Sequence, residues 1–124
     1  MRILVVQHNN EIANLWCRHM QRDGAETMTA ATEAEAIRTL RFWKFDALVL
    51  DMELTNGNAV AVADFARYRS PKMPVIAVTA RSFFSDQEIF DMLPNARTIL
   101  REPVRPDDLA AVVEHNGSKG AGNA

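Results

Sequence analysis

The stretch Asp46-Ala47-Leu48-Val49-Leu50-Asp51 is apolar over its four central residues and ends on an acid. A second apolar run, Val75-Ile76-Ala77-Val78-Thr79, ends on a hydroxyl residue. Neither run alternates apolar with polar residues, which is typical of strands that are covered on both faces. The two runs therefore predict central strands of a parallel sheet that carries helices on both sides.

Three shorter β-rich runs complete a set of five, and segments with helical spacing separate them. The predicted strands are Ile3 to Val6, Glu26 to Thr29, Ala47 to Leu50, Val75 to Thr79 and Thr98 to Leu100. Helix starts are predicted from capping residues, namely Thr32 with Glu35, Asn58, and Ser85 with Glu88. A strand followed by a helix, five times over, predicts an α/β fold with a doubly wound five-stranded parallel sheet.

Composition and charge restrict the class of protein further. The 124 residues are 48% hydrophobic and 24% charged, which fits one globular domain and excludes a disordered chain. The formal net charge is -2 without a block of like charges, so no nucleic-acid or membrane partner is expected. The single cysteine, Cys17, excludes an internal disulfide, and a cytoplasmic location is predicted.

The predicted domain covers residues 1–113, and residues 114–124 are predicted to form a flexible C-terminal tail. The tail has no aliphatic residue beyond alanine, and we expect no output domain in it. The chain is therefore predicted to act on its own, with its output passing through a partner.

Polar side chains follow the ends of four predicted strands. The first strand leads to Gln7 and His8, the third ends at Asp51, the fourth at Thr79, and the fifth leads to Glu102. Ligand chemistry in an open parallel sheet gathers beyond these carboxyl ends. Taken alone, Asp51 is either a turn acid or a reactive carboxylate, and Thr79 is either an ordinary strand residue or a hydroxyl that faces the crevice.

The chain resembles a response-regulator receiver domain, the CheY-like phosphoacceptor module of bacterial two-component signalling, from residue 2 to residue 113. The resemblance rests on five motifs in the right order and spacing. They are Ile3-Leu4-Val5-Val6, Asp46 through Asp51, Leu54-Thr55-Asn56-Gly57-Asn58-Ala59-Val60, Met73-Pro74-Val75-Ile76-Ala77-Val78-Thr79-Ala80, and Pro103.

The resemblance implies a flavodoxin-like receiver fold and a signalling module in a phosphorelay, not an enzyme. Asp51 would accept a phosphoryl group from a histidine kinase or a phosphotransfer protein, and Thr79 would hydrogen-bond a phosphoryl oxygen. It also implies a cis peptide bond before Pro103. The face made by the fourth helix, fifth strand and fifth helix would bind a downstream protein or a second copy, with candidate contacts at Phe83, Phe84, Ile89 and Ile99.

Three crevice positions depart from the family. The acids that help to hold Mg²⁺ are replaced by Gln7 and His8, and the lysine before the proline is replaced by Glu102. Because Mg²⁺ prefers carboxylate oxygens, we expect its binding to be strongly weakened. A glutamate in place of the lysine is expected to repel an incoming phosphoryl group and to slow its transfer.

His8 leaves three alternatives open. It is a polar loop residue, or it pairs as imidazolium with Asp51 or Glu102, or it joins Asp51 and Glu53 in a Mn²⁺ or Zn²⁺ site. Glu53 is also placed to form an ion pair with Arg81, the alternative being two solvated charges.

Two functional hypotheses follow. The first is a receiver that accepts phosphate on Asp51 and changes its affinity for a partner. The second is a pseudo-receiver, a protein-interaction module that works without phosphate. A flavin enzyme is disfavoured, because Gln7-His8-Asn9-Asn10 lacks the glycine-rich and hydroxyl-rich loop that binds a flavin phosphate.

Overall fold

The computed structural model describes residues 1–80 and 84–122, and within them it contains one parallel sheet with helices on both faces. Strands and helices alternate along the chain. They are β1 (Arg2–Val6), α1 (Asn10–Arg22), β2 (Glu26–Ala30), α2 (Glu33–Phe42), β3 (Ala47–Asp51), α3 (Ala59–Arg69), β4 (Val75–Thr79), α4 (Asp86–Met92), β5 (Ala96–Arg101) and α5 (Pro106–Gly122).

The strand order in the sheet is β2-β1-β3-β4-β5, and every neighbouring pair is parallel. The chain runs from β1 outward to β2 and then returns to the other side of β1, so the strand order reverses between β1 and β3. Val6 pairs with Leu50, and Asp51 pairs with Val78 in the next strand. The predicted doubly wound fold is confirmed, and the reversal places the carboxyl ends of β1 and β3 side by side.

The two central strands β3 and β4 are buried along their whole length. On one face of the sheet Leu48 and Leu50 belong to a core that includes Leu40 of α2 and Val62 of α3. On the other face Ala47 and Val49, with Ile76 and Val78 of β4, pack with Trp16 of α1 and Leu109 of α5. Burial on both faces explains why the two runs are apolar without alternation.

The predicted helix starts are formed, one of them only in part. The Asn58 side chain accepts a hydrogen bond from the Val60 amide, and Ser85 and Glu88 make the full capping box of α4. The Thr32 side chain accepts from the Glu35 amide, but the Glu35 carboxylate accepts from the Ala31 amide at 2.8 Å. The capping box at Thr32 is thus half formed, because the Glu35 side chain bonds the amide of residue 31 and not that of Thr32.

Helix α5 continues to Gly122, so the segment predicted as a tail from residue 114 is helical over most of its length. Gly117 is buried, and the space that a side chain would need there is filled by the Met1 sulfur. The helix therefore makes a close contact with the start of the chain. The apolar periodicity of the sequence does not predict this contact. No helix in the described ranges has the length and apolar character to cross a membrane.

The loop between β3 and α3 depends on Gly57, which has a φ of +106° and lies against Glu33. We expect Gly57→Ala to destabilise the fold by about 2–3 kcal/mol. The substitution places an alanine in the left-handed backbone region, and its side chain clashes with that of Glu33. Gly24→Ala is the matched control, since Gly24 has a φ of +91° with nothing within 4 Å of the added carbon. It should cost about 1 kcal/mol. Equal losses in urea unfolding would contradict the close approach at Gly57.

Candidate functional site

The predicted polar residues lie at one edge of the sheet, at the carboxyl ends of adjacent strands. Gln7 and His8 follow β1, Asp51 ends β3, Thr79 ends β4, and Glu102 follows β5. Since β1, β3, β4 and β5 are successive neighbours in the sheet, their ends form a single crevice.

Asp51 is buried, and both of its carboxylate oxygens are hydrogen-bonded. Its side chain is 3% exposed, and Oδ2 lies 2.8 Å from Nδ1 of His8. The other oxygen, Oδ1, accepts a hydrogen bond of 3.0 Å from the Glu53 amide. Asp51 is therefore fixed in orientation by the His8 side chain, which follows β1, and by one backbone amide from the loop after β3.

The His8 ring donates its Nδ1–H to Asp51, because an ionised carboxylate can only accept. The His8 side chain is 39% exposed, so the outer part of the ring reaches solvent while the bonded nitrogen faces the acid. Of the three alternatives for His8, the structure contains the contact with Asp51 that the second one required, and the imidazolium charge of that alternative stays a prediction. An imidazole N–H thus lies where the resemblance to receiver domains implies a metal-holding acid.

Gln7 is 2% exposed and lies in the segment between β1 and α1. Its side-chain carbonyl accepts a hydrogen bond of 3.0 Å from the Asn9 amide, and Asn9 caps the helix by accepting from the Glu11 and Ile12 amides. Gln7 was predicted as a crevice residue, but this contact makes it a support of the loop that carries His8.

The side chain of Glu53 crosses from the end of β3 to the end of β4. Its Oε1 accepts a hydrogen bond of 2.9 Å from the Thr79 hydroxyl and another from the Ala80 amide. The sequence predicted Glu53 as a metal ligand or a partner of Arg81, and Arg81 lies outside the described residues. The sequence showed an acid two residues after Asp51, but it did not predict that this acid would bond Thr79.

Glu102 lies in the crevice at the position of the missing lysine, and its amide donates to the Thr79 carbonyl at 2.8 Å. Partial burial is the main cause that raises the pKa of Glu102 above its usual value. The negative charges of Asp51 and Glu53 raise it further, and His8 opposes them. The peptide bond between Glu102 and Pro103 is cis, as predicted.

We expect Glu102→Gln to stabilise the protein at neutral pH and to have no effect in acid. A raised pKa means that the folded protein binds this proton more tightly than the unfolded chain does. The stability of the native protein therefore falls as the pH rises from the ordinary value of 4.5 through the folded pKa. Because the side chain is largely exposed, solvent screening keeps the gain below about 1 kcal/mol.

Thermal unfolding of both proteins between pH 4 and pH 8 measures this difference, with Glu114→Gln on the surface of α5 as the control. A gain for Glu102→Gln that persists unchanged below pH 4.5 would contradict an electrostatic origin.

The proposed metal ligands Asp51, Glu53 and His8 are not arranged around a common point. His8 bonds Asp51 directly, and the described side chain of Glu53 turns to Thr79. Within the described parts of the chain, no three histidine, cysteine, aspartate or glutamate side chains are grouped to hold a metal ion. The residues present therefore do not fit Mg²⁺, which requires several oxygen ligands in octahedral geometry.

Arg101, the residue before Glu102, does not replace the missing lysine of the crevice. Its guanidinium lies over α4, where it bonds Asp86 at 2.7 Å and the Phe84 carbonyl at 2.8 Å. The predicted docking residues on this face differ in exposure: Phe84 and Ile99 are partly buried and Ile89 is 1% exposed. Ile89 is thus a core residue and cannot contact a partner, and Phe83 lies outside the described residues.

The fold and the site together define a class: a doubly wound α/β domain with a buried aspartate at the point where the strand order reverses. The chain matches the family described as the response regulator receiver domain over residues 3–114. The chain belongs to this family, a signalling module of two-component systems, as the sequence predicted.

Solved receiver domains have the same fold. A CheY-like receiver domain protein from Methanospirillum hungatei has a TM-score of 0.88 at 22% identity, over 99% of this chain and 98% of its own. The receiver domain of the sensor histidine kinase PA1611 from Pseudomonas aeruginosa has a TM-score of 0.80 at 20% identity, over 94% of this chain and 97% of its own. That structure holds a magnesium ion in its active-site cleft.

Curated relatives are longer transcriptional regulators. The alginate biosynthesis regulator AlgB of Pseudomonas putida is 31% identical over 87% of this chain, and the match covers 24% of AlgB. PrrA of Mycobacterium tuberculosis is 31% identical over 69% of this chain and 37% of PrrA. The chain thus spans about a quarter to a third of the length of these relatives.

Proposed function

We propose that this chain is a phosphoacceptor receiver in which Asp51 takes a phosphoryl group from a histidine kinase or a phosphotransfer protein. The observation that carries the proposal is the position of Asp51, which is buried at the end of β3 and pairs there with Val78, the residue before the buried Thr79 at the end of β4. A carboxylate and a hydroxyl on neighbouring strand ends are the nucleophile and the hydrogen-bond donor that this transfer needs.

The reaction is a displacement at phosphorus. An Asp51 carboxylate oxygen attacks the phosphorus of the phosphohistidine, the bond from phosphorus to the donor's imidazole nitrogen breaks, and the released nitrogen takes up a proton. The product is an acyl phosphate on Asp51. In this chain the His8 N–H bonded to Asp51 orients the carboxylate. The Thr79 hydroxyl, which donates to Glu53 in the structure, would donate instead to an equatorial oxygen of the phosphoryl group.

Output is proposed to pass through protein contacts on the surface formed by α4, β5 and α5, which includes the partly buried Phe84 and Ile99. A downstream protein and a second copy of the chain are both compatible with this surface. A cytoplasmic location is part of the same proposal.

The test is incubation of the protein with acetyl phosphate, followed by intact-mass measurement. We expect one phosphoryl adduct on the wild-type protein and none on Asp51→Asn, which keeps the size of the side chain but lacks the nucleophile. Thr79→Val is expected to slow labelling by about tenfold, because it removes one hydrogen bond to a charged oxygen. An adduct that persists in Asp51→Asn would contradict the assignment of Asp51.

A phosphorylation-independent interaction module is the second candidate. It is favoured by Glu102, a negative charge where the family has a lysine, and by the engagement of the Thr79 hydroxyl with Glu53. Partner capture of equal strength by the wild-type protein and Asp51→Asn, together with no adduct on either, would favour this candidate.

A further inference from the structure

Glu53 links the two strand ends of the crevice. Its backbone amide donates to Oδ1 of Asp51 at 3.0 Å, and its side-chain Oε1 accepts from both the Thr79 hydroxyl and the Ala80 amide. One oxygen of a carboxylate thus receives two donors from the end of β4. Two converging donors of this kind are a typical arrangement for binding an anionic oxygen.

The same two donors lie next to the strand end that would carry a phosphoryl group on Asp51. Asp51 pairs with Val78 in the sheet, so Thr79 and Ala80 are the next residues along the neighbouring strand. A hydroxyl and an amide each have one hydrogen to donate. The Thr79 hydroxyl and the Ala80 amide therefore cannot serve the Glu53 carboxylate and a phosphoryl oxygen fully at the same time.

We propose that Glu53 is an internal ligand that occupies the anion subsite next to Asp51, so that a phosphoryl group must displace the Glu53 carboxylate to be bound. The competition with a phosphoryl group rests on the proposed function, whereas the contact of Glu53 with Thr79 and Ala80 is independent of it. An internal ligand is held at high effective concentration by the short loop from Asp51, and it competes without any partner. The Glu53 side chain would then slow the phosphorylation of Asp51 in this chain.

The competition predicts a faster reaction when the carboxylate is removed. Glu53→Ala should label with acetyl phosphate about tenfold faster than the wild-type protein, since both donors become available to the phosphoryl group. Glu53→Gln keeps an acceptor oxygen without the charge and should fall between the two. In a Thr79→Val background the gain from Glu53→Ala should shrink, because the hydroxyl for which Glu53 competes is gone.

The contact is measured separately by the amide resonance of Ala80 in ¹⁵N-labelled protein. A hydrogen bond to a carboxylate moves an amide proton downfield, so Glu53→Ala should move the Ala80 resonance upfield. Glu88→Ala, which removes an acid of the α4 capping box, is the control and should leave the Ala80 resonance in place. This readout does not depend on phosphorylation.

The two measurements separate the inference from the proposed function. An Ala80 resonance that does not respond to Glu53→Ala would overturn the internal ligand. A shifted resonance with equal labelling rates would overturn the competition and leave the proposed function standing. A shifted resonance without an adduct on any variant would overturn the proposed function and the competition that rests on it, whereas the internal ligand would be upheld.

Discussion

Replacement of Glu102 by lysine is expected to raise the rate of Asp51 phosphorylation by acetyl phosphate about a hundredfold. Glu102 is negative when ionised. Partial burial is the main cause that raises its pKa, and the negative charges of Asp51 and Glu53 raise it further. At roughly 5 Å and an effective dielectric constant of about 40, one unit interaction is worth about 1.7 kcal/mol. Removing one repulsion and adding one attraction amounts to about 3 kcal/mol, or a factor of about a hundred in rate.

The neutral variant Glu102→Gln separates the two contributions. It removes the repulsion without adding a positive charge, so its rate should lie about tenfold above that of the wild-type protein. Initial labelling rates of the three proteins, followed by intact mass, test this order. Equal rates would show that the charge at residue 102 has no influence on the transfer.

Replacement of His8 by aspartate is expected to change both stability and metal response. In the wild-type protein the His8 Nδ1–H lies 2.8 Å from the Asp51 carboxylate. His8→Asp would replace this hydrogen bond with two facing carboxylates, one of them on a buried residue. We expect a loss of about 2–3 kcal/mol and a fall in Tm of about 8–10 °C in the presence of a chelator.

Mg²⁺ should reverse this loss in His8→Asp, because two adjacent carboxylates form the hard oxygen site that the wild-type chain lacks. At a concentration of about a hundred times its Kd, the ion would restore about 2.7 kcal/mol. His8→Asn is the matched control: it removes the imidazole without adding a charge and should not respond to the ion. Thermal unfolding with and without Mg²⁺ measures the effect. If Mg²⁺ raised the Tm of the wild-type protein equally, the conclusion that its crevice does not fit Mg²⁺ would be wrong.

The fold could be predicted from the sequence because its decisive elements are buried on both sides. Residues 47–50 and 75–78 are apolar without alternation, and this pattern predicts helices on both faces of the sheet. The helical end of the chain was missed, because the contact of Gly117 with Met1 is made by residues far apart in sequence. A segment rich in glycine and without an apolar stripe gives no local signal for such a contact.

The site was predicted in its positions but not in its contacts. Strand ends determine where Asp51, Thr79 and Glu102 lie, since the register of a parallel sheet fixes neighbouring carboxyl ends. The contact of Glu53 with Thr79 depends on how the chain turns after β3, and sequence spacing does not determine the direction of that side chain. For the same reason the three alternatives for His8 could be separated only by the structure.

The position of the phosphoryl group tests the assignment of Asp51 as the phosphoacceptor. The wild-type protein is incubated with acetyl phosphate, reduced with borohydride, which converts an aspartyl phosphate to homoserine, and mapped by peptide mass. We expect homoserine at residue 51 and unchanged aspartate at Asp46 and Asp86. Unconverted Asp51 in a protein that has gained a phosphoryl adduct would contradict it.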